Sequence, residues 1–403
     1  MVDLPCWTGD SLASPGWGSV GEIADAGLTR TSYHFRVTSF PLQSVPVHPE
    51  KGPSSDERRA AALADPGFGR HFSDHVARAR WTSDGGWDDT RIGRLADLAM
   101  HPASAVMHYG QSIFEGLKAY RHSDDSIWVF RPDRNAARFA RSAERLALPV
   151  LPEELFVDSV VQLVAADAAW VPTPSGPDGE QSLYLRPVMY ASEAFLGVRP
   201  AKEITYLAMA SPADAYFADG VHGVRLWVCR DWVRAAPGGT GAAKCGGNYA
   251  ASLVAQEQAR ARGCDQVLWL DAQQRHIEES GTMNLCLVTD DGELLTPASE
   301  TILDGVTRDS LLTLAGEHGL TPVMRPVELA ELTARILDGG ITEAFACGTA
   351  AVITPVTALL DGDRDLVVAD GRPGPATLAL REHLLDLQFG RRPDPYGWLR
   401  QVG

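Results

Sequence analysis

From Ala103 onward the chain alternates short apolar runs with longer stretches of helical spacing. Ser126-Ile127-Trp128-Val129-Phe130 reads as a strand. Arg131-Pro132 and a helical segment from Ala136 to Leu146 follow it, and Pro132 suits that helix's first turn. Val157, Val160, Val161, Leu163 and Val164 recur at helical spacing within Leu155 to Trp170, which predicts a second helix. Strand patterns return at Ser182 to Met189 and at Ile204 to Ala208, so this region reads as an α+β unit. The stretch from Ser211 to Gly220 has loop composition and sets a boundary. Beyond it, Val224 to Val228 and Gln266 to Leu270 read as strands, and Tyr249 to Ala261 as a helix stopped by Gly263. Asn284 to Val288 and Glu293 to Thr296 flank Asp290-Asp291-Gly292, a hairpin signal.

Residues 1 to about 60 show no long period and carry turn signals such as Ser14-Pro15-Gly16 and Lys51-Gly52-Pro53. The chain of 403 residues exceeds what one core of ordinary size holds. The expected organisation is an N-terminal extension (1–60), a small α+β domain (61–210), an interdomain loop (211–223) and a large domain (224–403).

A formal net charge of −16, without a basic stripe, would repel a phosphate backbone, so nucleic acid is not expected as a partner. No apolar run approaches the ~20 residues needed to span a bilayer, so no membrane role is expected. The N-terminus lacks a basic start and a sustained apolar stretch, which points to a cytoplasmic location. Cys6, Cys229, Cys245, Cys264, Cys286 and Cys347 form no CxxC pair, so neither a disulfide framework nor a zinc site is expected.

Four segments carry candidate chemistry. In Gly238-Gly239-Thr240-Gly241-Ala242-Ala243-Lys244-Cys245-Gly246-Gly247-Asn248-Tyr249, small residues surround a lysine and would let a flat cofactor approach its backbone. A desolvated lysine has a lowered pKa and attacks aldehydes, although a flexible loop with an exposed lysine would look the same. Glu278-Glu279 runs into a tight turn at Gly281, where a carboxylate can keep a pyridine nitrogen protonated or can simply be solvated. Leu303-Asp304-Gly305-Val306-Thr307-Arg308 opens a helix with Leu311, Leu312 and Ala315 on one side; its free N–H groups suit a phosphate, or ordinary capping. Cys347-Gly348-Thr349-Ala350-Ala351 is a small-residue turn that can offer donors to a second anion, or a plain strand end.

Seven stretches in order resemble the branched-chain amino-acid aminotransferases, class IV enzymes of pyridoxal 5'-phosphate (PLP) fold type IV. They are His108-Tyr109-Gly110-Gln111-Ser112-Ile113-Phe114-Glu115-Gly116, Phe130-Arg131-Pro132, Leu183-Tyr184-Leu185-Arg186-Pro187, Ala215-Tyr216-Phe217, Lys244-Cys245-Gly246-Gly247-Asn248-Tyr249, Glu279-Ser280-Gly281-Thr282-Met283-Asn284 and Gly348-Thr349-Ala350. The match runs from about Gly67 to the C-terminus. It implies a mixed α/β, two-domain fold like that of D-amino-acid aminotransferase. A small N-terminal α+β domain would be joined to a larger PLP-binding domain with a β-barrel-like core.

The resemblance further implies that Lys244 bonds covalently to PLP, Glu279 pairs with the pyridine nitrogen and Tyr249 bonds the ring hydroxyl. Arg131 would hold the phosphate, helped by Val306, Thr307 and Thr349. Phe68, Tyr109, Phe114, Tyr184, Thr282 and Ala350 would wall the substrate pocket, with Arg186 near a carboxylate. Leu196 and Val198 resemble a loop reaching the neighbouring subunit's site, which implies a homodimer. The implied reaction moves amino groups between L-leucine, L-isoleucine or L-valine and 2-oxoglutarate, with small-molecule amino acids and 2-oxo acids as partners and ping-pong kinetics. Tyr184-Leu185-Arg186 favours this reading over a D-amino-acid aminotransferase or an aminodeoxychorismate lyase. Some relatives carry a CxxC pair after the Gly-Thr-Ala turn; Ala351 and Thr354 stand there here, so no thiol switch is expected.

Overall fold

The computed structural model describes residues 54–176, 178–216 and 220–403. Most of the expected N-terminal extension, Cys6 with it, and Phe217 of the matching stretches lie outside the described residues.

Two sheets organise the chain. The first has eight antiparallel strands, running Leu399–Val402, Ile127–Phe130, Leu117–Arg121, Ser182–Ala191, Glu203–Ala213, His75–Thr82 and Gly86–Arg94, with Ser112–Phe114 paired beside Ser182–Ala191. Helices Pro132–Arg145 and Glu153–Ala166 lay their apolar stripes on it. Phe139 packs on Phe156 and Tyr206 at ring separations of 5.3 and 5.8 Å, with Leu183 and Leu185 buried in the same core. The predicted second helix ends at Ala166 rather than Trp170. Beyond it, Asp167 is taken by the backbone N–H and ring of His75, and a short 3₁₀ turn, Ala168–Trp170, follows.

The second sheet closes on itself. Strands Ile277–Ser280, Gln266–Leu270, Val224–Val228, Val352–Asp361, Ile341–Gly348 and Met283–Thr289 pair in that order, and the last pairs back with the first, giving a six-stranded barrel. Glu293–Pro297, Thr321–Arg325 and Arg364–Val367 extend it. Val224–Val228 and Gln266–Leu270 are parallel and so need a crossover, which helix Gly246–Ala261 supplies. This crossover sets Lys244 just before a helix N-terminus. No helix of the described residues is long and apolar enough to cross a membrane.

Candidate functional site

Lys244 is fixed from two directions before its side chain does anything. Its N–H donates to Ser142 Oγ at 3.0 Å, and its carbonyl accepts from Phe114 N–H at 2.9 Å. Asn248 clamps the loop behind it, donating from Nδ2 to the carbonyls of Thr240 (2.8 Å) and Ala243 (2.9 Å). The amine then points into a cavity of about 240 Å³, where Nζ donates to Tyr249 Oη at 2.7 Å and lies 4.8 Å from the Phe114 ring centre. Burial, reinforced by the positive charge of Arg138 and opposed by Glu115, pushes its pKa down to about 8. Burial, with Glu279 nearby, pushes the Tyr249 phenol up to about 12, so it stays protonated.

Glu279 borders the same cavity from strand Ile277–Ser280 and is buried. One carboxylate oxygen accepts from Leu303 N–H at 2.8 Å, and the other lies 3.4 Å from Arg234 Nε. Burial raises its pKa and Arg234 pulls it down, with a net shift upward. Glu278, its neighbour, is also buried and accepts from the Thr301 hydroxyl.

Helix Val306–Leu314 starts at the cavity with no side-chain cap on its N-terminus. A Cβ at Gly305 would sit 1.8 Å from Asn284 Oδ1, so only glycine lets the helix start come this close to the barrel. Val306 and Thr307, at the uncapped helix start, line the cavity together with Arg138, a set of donors of the kind that suits an anion. Arg138 is held by Glu115: Nε donates to Oε1 and Nη2 to Oε2, both at 2.7 Å, while Nη1 donates to the Asp304 carbonyl at 3.0 Å.

On the remaining wall, Arg186 Nη2 donates to Tyr184 Oη at 2.9 Å and its guanidinium lies over Phe114 at 4.8 Å. Phe68 packs edge-on against Tyr184 at 4.9 Å. A Cβ at Gly116 would meet Tyr184 Oη at 2.1 Å, so glycine there makes room for the phenol. Thr282, Thr349 and Ala350 also line the cavity.

A lysine amine, a buried carboxylate and an uncapped helix start thus meet on one cavity. The family model for class IV amino-transferases matches residues 112–359. The chain belongs to the class IV aminotransferases. The branched-chain-amino-acid aminotransferase of Mycolicibacterium smegmatis is 49% identical over 371 residues, covering 91% of this chain and 100% of that protein. Among solved structures, the branched-chain amino acid aminotransferase of Escherichia coli aligns with a TM-score of 0.67 at 30% identity, over 81% of this chain and 100% of that one. The branched-chain amino acid aminotransferase of T.th., solved with pyridoxamine 5'-phosphate, aligns with a TM-score of 0.64 at 29% identity, over 81% and 99%. The mixed α/β architecture with a barrel is the class IV aminotransferase fold.

Within this class IV site the structure brings together Phe68, Phe114, Tyr184, Arg186, Lys244, Tyr249, Glu279, Thr282, Val306, Thr307, Thr349 and Ala350. Four expected residues stand elsewhere. Arg131, expected at the phosphate, is turned away: Nη1 donates to Ser310 Oγ at 2.7 Å, Nη2 pairs with Asp309 at 2.6 Å, and the guanidinium covers Trp398. The arginine on the cavity is Arg138, two helical turns further on. Tyr109, expected as a pocket wall, is instead exposed and donates its hydroxyl to the Leu196 carbonyl; Leu196 and Val198 are exposed too. Sequence reasoning missed Glu115, Arg138 and Arg234. Glu115 lies inside a matched stretch, and Arg138 is one of several arginines on its helix that only tertiary contacts distinguish.

Proposed function

We propose that this protein is a branched-chain amino-acid aminotransferase that uses PLP to move the amino group of L-leucine, L-isoleucine or L-valine to 2-oxoglutarate. The observation that carries the reading is the buried amine of Lys244 in one cavity with Glu279 and the start of helix Val306–Leu314. The close identity to named branched-chain enzymes supports the substrate class.

The donor set suits PLP. The uncapped helix start and Arg138 fit a phosphate, and the carboxylate of Glu279 fits a pyridinium. When bound, PLP supplies an aldehyde and a ring that accepts electrons from a substrate carbanion. With PLP in place, Lys244, whose amine burial brings within reach of neutrality, would be the residue that holds the aldehyde carbon, and its Nζ would be the base that accepts the substrate's α-proton and the acid that gives it back. Tyr249, held protonated, orients that nitrogen through its hydroxyl. Val306, Thr307, Arg138 and Thr349 are assigned to the phosphate side. Phe68, Phe114, Tyr184, Thr282 and Ala350 are assigned to the substrate side, with Arg186 and the Tyr184 hydroxyl receiving the second carboxylate of glutamate.

The reading extends to a homodimer, in which exposed Leu196 and Val198, and Tyr109 bonded to the Leu196 carbonyl, complete the neighbouring subunit's pocket. It also extends to a cytoplasmic setting, supported by Cys229, Cys245, Cys264, Cys286 and Cys347 being buried and unpaired. The deciding experiment offers the PLP-loaded protein L-leucine, D-alanine or aminodeoxychorismate and measures products by mass spectrometry. Glutamate from L-leucine and 2-oxoglutarate is expected; turnover of either alternative without L-leucine turnover would replace this reading.

A further inference from the structure

The turn between strands Ile341–Gly348 and Val352–Asp361 is only three residues long, since Gly348 pairs with Val352. Gly348, Thr349, Ala350 and Ala351 all line the cavity. Immediately after them, Val352 has φ +61°, a left-handed conformation that a β-branched residue adopts only when its surroundings hold it there. Val352 is buried, so the backbone cannot relax outward.

Two side-chain to main-chain bonds fasten the turn that precedes it, and both run to the short segment 116–118 at the start of strand Leu117–Arg121. Thr349 Oγ1 donates to the Gly116 carbonyl at 3.1 Å, and Lys118 Nζ donates to the Ala350 carbonyl at 3.0 Å. Lys118 is buried, does not line the cavity and has no part in the chemistry assigned above. Burial pushes its pKa down to about 8, against the pull of Glu180, and both its ammonium and its amine can donate to a carbonyl.

We infer that Lys118 is a positioning residue for substrate recognition: by holding the Ala350 carbonyl it aims the peptide group joining Ala350 to Ala351 at the substrate's α-carboxylate. This rests on the aminotransferase reading, which makes that carboxylate the second anion in the cavity, beside the phosphate. A trans peptide plane is rigid, so fixing the Ala350 carbonyl on one side fixes the Ala351 N–H of the same plane in the opposite direction. Losing the bond loosens binding alike in the ground and transition states, so KM moves and kcat does not.

The test uses the PLP-loaded enzyme and 4-methylpentanoate, which is leucine's skeleton without the amino group. Lys118→Met should raise the dissociation constant of 4-methylpentanoate and the KM for L-leucine at least tenfold, with kcat within about threefold and PLP affinity unchanged. Lys118→Gln, one atom shorter, should lose at least threefold, and Lys118→Arg should stay within threefold of wild type. If Lys118→Met does not fold, the Gln and Arg variants carry the comparison. Unchanged 4-methylpentanoate affinity in the Met or Gln variant, or an equal loss of PLP affinity, would overturn the inference. Wild-type protein that neither binds 4-methylpentanoate nor transaminates L-leucine would instead count against the proposed function.

Discussion

Glu115 grips Arg138 through two parallel hydrogen bonds of 2.7 Å, and both side chains are buried. Burial alone would raise the Glu115 pKa, but Arg138 holds it below the usual carboxylate range. Breaking such a pair on one side typically costs about 3–5 kcal/mol, because the remaining charge stays buried. Glu115→Gln, although isosteric, should therefore lower the melting temperature of the apoprotein and weaken PLP binding at least tenfold. A variant with unchanged PLP affinity would show that Arg138 needs no such partner to serve the phosphate.

Arg138 and Arg131 make opposite predictions. Arg138→Lys loses the bidentate contact to Glu115 and a donor near the helix start, so PLP affinity should fall about tenfold or more. Arg131→Lys disturbs the pairing with Asp309 and Ser310 and the cover over Trp398, none of which lies on the cavity, so PLP affinity should stay within about threefold while stability drops by about 1 kcal/mol. Titration of the two apoproteins with PLP separates the assignments, and a reversed order would restore Arg131 to the phosphate.

Much of this site was legible because its residues sit in compact stretches: Lys244 to Tyr249 within one loop and helix start, Glu279 to Asn284 around one hairpin. Arg131 misled because the Phe130-Arg131-Pro132 stretch is the conspicuous one, whereas Arg138 is chosen by the geometry of a helix meeting a barrel. The hairpin His75–Thr82 and Gly86–Arg94 and the helix Asp56–Ala64 passed unnoticed for a different reason. The hairpin's buried positions include Ala77 and Ala79, too small to stand out as an apolar alternation, and the helix buries only Ala62. Barrel closure, likewise, depends on Glu279 and Ser280 pairing with Asn284 and Met283, and no local pattern reveals which other strands meet there.

The lowered Lys244 pKa sets a pH dependence for PLP capture by the apoprotein. Only the neutral amine attacks an aldehyde. With a value of about 8 the neutral fraction climbs roughly tenfold per pH unit below that point and levels off above it. The capture rate, followed by absorbance, should therefore rise from pH 6 to 8 and flatten by pH 9. A rate still climbing steeply through pH 10 would mean the amine titrates like an exposed lysine.

Arg186 shares its wall with aromatic rings, so its charge matters to one substrate class more than the other. Arg186→Leu keeps an apolar surface beside Phe114 and Tyr184 but removes the donor. The KM for glutamate and 2-oxoglutarate should rise at least about tenfold, and that for leucine less than about threefold. Equal losses for both would mean that Arg186 only shapes the wall.

Leu196 and Val198 are too exposed to contribute to their own chain's core, at 66% and 89%, and the Tyr109 hydroxyl ties the loop to helix Ala105–Tyr109. In the proposed dimer each loop would complete the partner's pocket, and that arrangement has a genetic consequence. A chain with Leu196→Ser and Val198→Ser would supply an intact Lys244 but a poor loop, and a Lys244→Ala chain would supply the reverse. Each made alone should be weak or inactive. Co-expressed, random pairing makes half the dimers mixed, each with one complete site of two, so about a quarter of wild-type activity should return. Light scattering should give twice the chain mass for every variant. No recovery on co-expression, with dimers present, would confine the loop's role to its own subunit.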